Sequence, residues 1–220
     1  MAIYKGNKEI SEIYLGSTEI SEIYKGSTLI FQNNRYTPGQ VLFESSTPGT
    51  YSFTPLQSSI FEVICVGGGG GGVKYFVYGY VDERAGGGSG GGFCTQVKLT
   101  RGVTYSITVG AGGWGGSGGG DVYGGAGGNS SVDTLIANGG GGGHMNPKSG
   151  GYGGSTSLTE SSTIVIKRTD WNYNGNTGGT GNIWGGGDGG ASVYNGYGKG
   201  GNTEQYGNSG YVRIKFISKR

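Results

Sequence analysis

Between residues 110 and 129 the chain reads GAGGWGGSGGGDVYGGAGGN, and Ala111, Trp114, Ser117, Tyr123, Ala126 and Asn129 stand apart by multiples of three. An α-helix repeats its side chains every 3.6 residues and a strand every two, so neither accommodates the spacing. A polyproline II thread does: it is left-handed, turns once in three residues and makes no internal hydrogen bonds. One face of such a thread carries side chains. The other two are glycine, interrupted by Asp121 and Val122. Backbone groups without internal partners must bond elsewhere, and two bare faces let neighbouring backbones come close enough. Collagen needs glycine only at its crowded axis, once in three residues. Glycine at two positions in three predicts several neighbours per thread, that is, a bundle of polyglycine II helices.

The spacing recurs at Ser149, Tyr152 and Ser155, at Gly185, Asp188 and Ala191, and at Lys199 and Asn202, while the glycine runs starting at Gly67 and Gly139 have no side chains and suit the inside of a bundle. The plain alternative is a flexible linker, and ordering glycine costs more backbone entropy than ordering any other residue. The strict period, the bulky Trp and Tyr within the runs, and the strands abutting them weigh against it.

Glycine supplies 55 of 220 residues, against a usual share of about 7%. With 33% hydrophobic residues, this predicts a small apolar core supplemented by main-chain hydrogen bonding and by association with other chains. A net charge of +2 gives no electrostatic footprint for nucleic acid. No apolar stretch approaches the ~20 residues of a membrane span, so no membrane insertion is expected. The opening MAIYKGNKEISEIY lacks the apolar core of a signal peptide, which predicts no export by the ordinary secretory route unless a signal has been lost. Cys65 and Cys94 lie in apolar strand-like contexts, FEVICV and GFCTQV. Buried free thiols are the favoured reading, with pairing across adjacent strands the alternative.

Two domains are expected. Residues 1–35 hold a ten-residue repeat, IYKGNKEISE, IYLGSTEISE and IYKGSTLIFQ, read as a meander or winding of short strands that serves attachment or oligomerisation, since so small a unit buries no face alone. A plain three-strand sheet at the domain's edge is the simpler reading. Residues 36–220 follow, with strands expected at Val41–Glu44, Thr50–Thr54, Ile60–Val66, Phe93–Leu99, 104–109, 163–167 and 210–217. Nothing reads as a capped helix. The fold class is all-β: a β-sandwich-like domain with a bundle of polyglycine II helices, preceded by the short β-repeat.

The segments YSFTPLQSSIFEVICVGGGGGG, LTRGVTYSITVGAGG and GYVRIKF occur in an order that resembles the glycine-rich module of tail-fibre and receptor-binding tip proteins of tailed bacteriophages and of some bacterial surface proteins. The resemblance covers roughly residues 40–220, although no long stem is present. It implies a virion protein at the tail-fibre tip that acts as an adhesin in host attachment. Its partners would be a bacterial surface polysaccharide or outer-surface protein, other tail-fibre proteins, and further copies of itself in a homo-oligomer such as a trimer. The alternatives are a structural tail or baseplate protein touching only other virion proteins, and a glycine-rich cell-surface or ice-binding protein. The bulk of Trp114 and Tyr123 speaks against ice binding.

No catalytic constellation emerges. His144, the one histidine, leaves a Ser-His-Asp triad a single candidate base. The glycines have no βαβ context for a dinucleotide, and the carboxylates are scattered. No cofactor, metal or enzymatic activity is expected. Candidate receptor contacts fall in the segments between glycine runs: Tyr75, Phe76, Tyr78 and Tyr80, the loop residue His144, and Asp170, Trp171, Asn172, Tyr173 and Asn174. Aromatic faces beside amides and carboxylates can stack on a sugar ring or fill a protein patch. The Asn and Gly of DWNYNGN predict a loop there, whereas Phe76, Tyr78 and Tyr80 could equally pack inward from a strand.

Overall fold

The computed structural model describes residues 3–5, 8–10, 13–15, 18–20, 22–25, 27–32, 36–77, 80–118, 122–145, 148–182 and 188–218. The chain divides after Thr37 into two units. In chain order the strands of the first are β1 (Ile3–Lys5), β2 (Lys8–Ile10), β3 (Ile13–Leu15), β4 (Thr18–Ile20), β5 (Glu22–Lys25) and β6 (Thr28–Gln32). Those of the second are β7 (Val41–Ser45), β8 (Gly49–Phe53), β9 (Ser59–Val66), β10 (Val73–Val77), β11 (Tyr80–Ala85), β12 (Gly92–Leu99), β13 (Tyr105–Val109), β14 (Gly116–Gly118), β15 (Ser130–Val132) and β16 (Leu135–Ala137). They continue with β17 (His144–Met145), β18 (Lys148–Ser149), β19 (Thr156–Leu158), β20 (Ile164–Tyr173), β21 (Thr180–Asn182) and β22 (Tyr211–Ser218).

Each ten-residue repeat folds into its own antiparallel hairpin, β1 with β2, β3 with β4 and β5 with β6. Ile3 pairs with Ile10 and Ile13 with Ile20. The simpler reading of a plain three-strand sheet is not what forms: two residues led by glycine separate the strands within a repeat, the sequence two-residue hairpin turns favour.

The second unit is built on two five-stranded sheets, ordered β20-β12-β9-β22-β7 and β19-β16-β15-β13-β8. Their facing sides bury Phe61, Val63, Cys65, Val212, Ile214 and Phe216 from the first sheet and Tyr105, Ile107, Val132 and Leu135 from the second. Phe61 meets Phe53 and Phe216 edge-on, with ring centroids 5.8 and 5.9 Å apart. On β22, Val212, Ile214 and Phe216 point inward, while Arg213 and Lys215 on the other side both reach Glu62, at 2.9 and 2.8 Å. The buried hydroxyl of Tyr105 donates to the Thr163 carbonyl at 2.8 Å.

Cys65 stands opposite Phe93 and Cys94 opposite Ile64 on the paired strands β9 and β12. One register step apart, they point to opposite faces of the sheet and remain buried free thiols. Burial pushes both thiols up in pKa. Cys94 is raised to about 12, first by burial and then by the negative charges of Glu62 and Asp170. A raised native pKa means a contribution to stability that is complete below the unfolded value near 9 and is lost as pH climbs towards about 12. The melting temperature of the wild type should therefore fall more steeply above about pH 9 than that of the Cys65→Ala/Cys94→Ala variant. Equal slopes would contradict it. Without denaturant, neither thiol should react with a thiol reagent at neutral pH.

At Val66 the side chains stop and the architecture changes. Residues 67–72 and 86–91 are buried throughout, and each of their N–H groups donates to a neighbouring thread. Along 67–72 the partners repeat every third residue. Gly67 and Gly70 donate to 86–91, Gly68 and Gly71 to 123–129, and Gly69 and Gly72 to 205–210. The same thread accepts from Gly113 and Gly116, from Gly140 and Gly143, and from Gly201. It thus has six neighbours, and so has 86–91. Exposure follows the same period, with Ala111, Trp114, Ser117, Tyr123, Ala126 and Asn129 all facing outward. Both observations identify polyglycine II threads.

Among the described residues the bonds sort ten threads into three layers. One holds 123–129, 138–143 and 149–155. The middle layer holds 110–118, 67–72, 86–91 and 174–179, and the last holds 188–191, 198–202 and 205–210. The reason for glycine here is space. A Cβ on Gly70 would lie 2.0 Å from the Gly141 carbonyl oxygen, and one on Gly87 2.1 Å from that of Gly70. The described glycines in the left-handed region are instead Gly39, Gly102, Gly196 and Gly198, which lie at turns or a thread's start.

Strand pairs of the sandwich run on as thread pairs. The β9/β12 pair becomes 67–72 beside 86–91, β12/β20 becomes 86–91 beside 174–179, and β15/β16 becomes 123–129 beside 138–143. With side chains between them, stacked sheets stand ~10 Å apart. Without them, the layers close to hydrogen-bond distance, as in Gly69 N–H to Asn208 O and Gly140 N–H to Gly68 O, both at 2.9 Å. Surface threads lack outer neighbours, and asparagines supply some of the missing partners. The Asn129 Oδ1 accepts from the Gly139 N–H at 3.0 Å and the Asn202 Oδ1 from the Gly189 N–H at 2.8 Å.

Candidate functional site

Among the described residues, connections join threads at the end of the bundle away from the sandwich. The largest is the β10–β11 hairpin, flanked by β14 and β21 in a four-stranded sheet. Beside it, β17 and β18 form a second hairpin. Val73, Ala85 and Met145 make a separate buried cluster here, with Tyr75 and Val122 packed against it. This small core ties three connections together. Ion pairs add to it: Lys74 with Glu204 at 2.9 Å joins the first hairpin to the 203–204 turn, and Lys148 with Glu83 at 3.6 Å joins the two hairpins. All four side chains are partly exposed, so each pair contributes at most about 1 kcal/mol. Their use is to fix loop positions.

The candidate contact residues divide between the two ends of the bundle. Tyr75 is half-buried on the small core, and Phe76 lies under the Lys74 ammonium, 4.8 Å from the ring centre. Tyr80 opens β11. Tyr78 lies outside the described residues. His144 begins β17, its ring 6.2 Å from that of Tyr123, with which it forms a β-bridge. Asp170, Trp171, Asn172 and Tyr173 lie at the other end, where the sandwich meets the threads. A thread of six residues separates the ends by about 19 Å at ~3.1 Å per residue.

The loop expected at DWNYNGN is corrected. Residues 170–173 belong to β20 and pair with β12, Trp171 opposite Cys94, and only Asn174 follows the strand. β20 is an edge strand of its sheet, exposed over most of its length, so the alternation that reveals a half-buried strand is missing. Trp171 stacks on Tyr173 and on Tyr194, centroids 5.9 and 5.6 Å away, and Tyr194 continues to Tyr211 at 5.6 Å. Asp170 pairs with Arg168 at 2.6 Å, and Asn172 accepts a bond from the Thr156 hydroxyl.

Spacing alone did not single out Trp114 and Tyr123 as a surface. Their rings lie 6.2 Å apart on adjoining threads, 48% and 56% exposed, and with His144 they form an aromatic ridge across three threads near the loop end. The signal was present in their period-three positions, which face away from the bundle.

Glu62, Cys94 and Asp170 bring three metal-ligating atoms within 4.8 Å of one another. The donors do not suit a cation: Glu62 already holds Arg213 and Lys215, Asp170 holds Arg168, and the Cys94 thiol is kept protonated.

No curated protein matches the chain. A family defined by a glycine-rich domain matches residues 45–216, from the end of β7 into β22. That span takes in the sandwich strands from β8 on and all ten threads, so the chain belongs to the glycine-rich domain family.

Proposed function

We propose that the chain is a receptor-binding tip protein of a phage tail fibre, an adhesin that touches the bacterial surface with the loop end of its bundle. The observation that carries this reading is the convergence, at one end of a main-chain-bonded slab, of the β10–β11 and β17–β18 hairpins, β14, β21 and the 203–204 turn. A preorganised scaffold loses little entropy on binding, and many copies on one particle multiply weak contacts into firm attachment. The three N-terminal hairpins, marginal as isolated two-stranded units, serve to join copies of the chain or other fibre proteins. Neither role requires a cofactor or a reaction.

The full chain, fluorescently labelled, is incubated with a panel of bacteria. A variant with Gly-Ser linkers in place of residues 76–82 should lose about tenfold or more of the labelling, as expected when hot-spot aromatics are removed. The Trp171→Ala/Tyr173→Ala variant, altered at the sandwich end, should keep it. Loss in the second variant alone would move the receptor surface to that end, and failure of the wild type to label any strain would remove the adhesin reading.

A further inference from the structure

We infer that the ridge of Trp114, Tyr123 and His144 is a saccharide-binding subsite that stacks pyranose rings; the inference names a ligand class for the adhesin reading and rests on it. Trp114 is clamped as well as exposed. Its indole lies over Gly125, where an added Cβ would stand 2.4 Å from Cδ1 and 2.5 Å from Nε1. The Gly125 N–H also donates to the Trp114 carbonyl at 2.7 Å. One indole face therefore rests on bare backbone, while the residue as a whole stays 48% exposed. Tyr123 stands beside it, tilted 55°, and His144 beyond at 6.2 Å.

The chemistry favours a sugar over a protein side chain. Protein hot spots are aromatic anchors in dry, apolar pockets. Here the rings rise from glycine threads, with the exposed hydroxyl-bearing Ser117 one turn along from Trp114. An aromatic face is electron-rich, suited to the C–H face of a pyranose, while the imidazole and hydroxyls can bond its ring hydroxyls. The ring-to-ring step of 6.2 Å is close to the advance of one sugar unit, so consecutive residues of a polysaccharide could stack along the ridge. Because the indole is already immobilised, little rotamer entropy is lost on binding.

The test is a microarray of bacterial capsular, O-antigen and core oligosaccharides probed with the full chain. The wild type should bind at least one glycan. Trp114→Ala should lose about tenfold or more of that binding. Gly125→Ala should lose as much, since the three nearest atoms its new Cβ meets all belong to the Trp114 indole, which must move aside. Trp171→Ala should bind as the wild type does, and unchanged melting certifies each fold. No bound glycan, or equal binding by Trp114→Ala, overturns the inference. Cell labelling in parallel separates the two readings. If cells are labelled equally by wild type and Trp114→Ala, the ridge fails and the adhesin stands. If glycan binding is lost in Trp114→Ala but no cell is labelled by the wild type, the reverse holds.

Discussion

Gly70→Ala should leave the chain unable to fold at physiological temperature. The new Cβ would stand 2.0 Å from the Gly141 carbonyl oxygen and 2.4 Å from its carbon, against 3.4 Å or more in ordinary contacts. Both colliding atoms are backbone, so no side chain can swing aside. Threads 67–72 and 138–143 would have to part by more than an ångström. Gly68 O would then lose its bond from the Gly140 N–H and Gly71 O its bond from the Gly143 N–H, both now 2.9 Å. Overpacking costs about 1–3 kcal/mol, and each buried group left without a partner about 1–3 more. A loss of about 5 kcal/mol or more reaches into the whole stability of a typical domain, about 5–15 kcal/mol. The matched control is Gly179→Ala, whose Cβ would meet nothing nearer than the Asp188 nitrogen at 3.5 Å. That variant should fold, stabilised by about 0.4–1 kcal/mol through its less flexible unfolded chain. Thermal melts decide it. A Gly70→Ala protein melting within a few degrees of the wild type would mean that the layers are not in contact.

The second large effect is in hydrogen exchange. The amides of Gly67–Gly72 and Gly86–Gly91 are buried, and all are bonded to other threads. No single thread can release its protons without opening several neighbours, so exchange should require global unfolding. With about 5–15 kcal/mol of stability, protection should exceed about 10³-fold, in stretches whose composition alone suggests a tether. Protection near unity would identify a floppy chain and end the lattice description. Thr177 and Tyr206, exposed on outer threads, should exchange much sooner.

Much of this arrangement was legible in the sequence because two periods are written there. Val212, Ile214 and Phe216 alternate as a half-buried strand must, and their face is the buried one. The three-residue spacing from Ala111 to Asn129 specified outward faces that the structure reproduces. What could not be read was the neighbour of each thread, since glycine carries no identifying mark. The lateral order is set by the strand pairs feeding the threads. The fate of residues 170–173 was hidden for a different reason. At an exposed sheet edge neither face selects for apolar residues, so Asn172 and Asn174 gave a turn signal that β20 overrides. The repeat hairpins were obscured because each strand is only three to five residues long.

The candidate surface was half visible. Tyr75 and Phe76 stood out as an aromatic cluster, but that Tyr75 leans on the core of Val73, Ala85 and Met145 follows only from the fold. Trp114 and Tyr123 were noticed for their spacing and overlooked as a surface, because their partnership crosses threads rather than running along one.

Close packing without side chains also divides the chain by its tolerance of genetic change. Every missense change at a scaffold glycine such as Gly68, Gly87 or Gly200 adds at least a Cβ aimed at backbone about 2 Å away, so these positions have almost no neighbouring sequences to drift into. The connections bear no such restriction and can lengthen, shorten or exchange residues while their anchor points stay fixed. A lineage carrying this fold would explore new sequences in its loops while its framework stayed frozen.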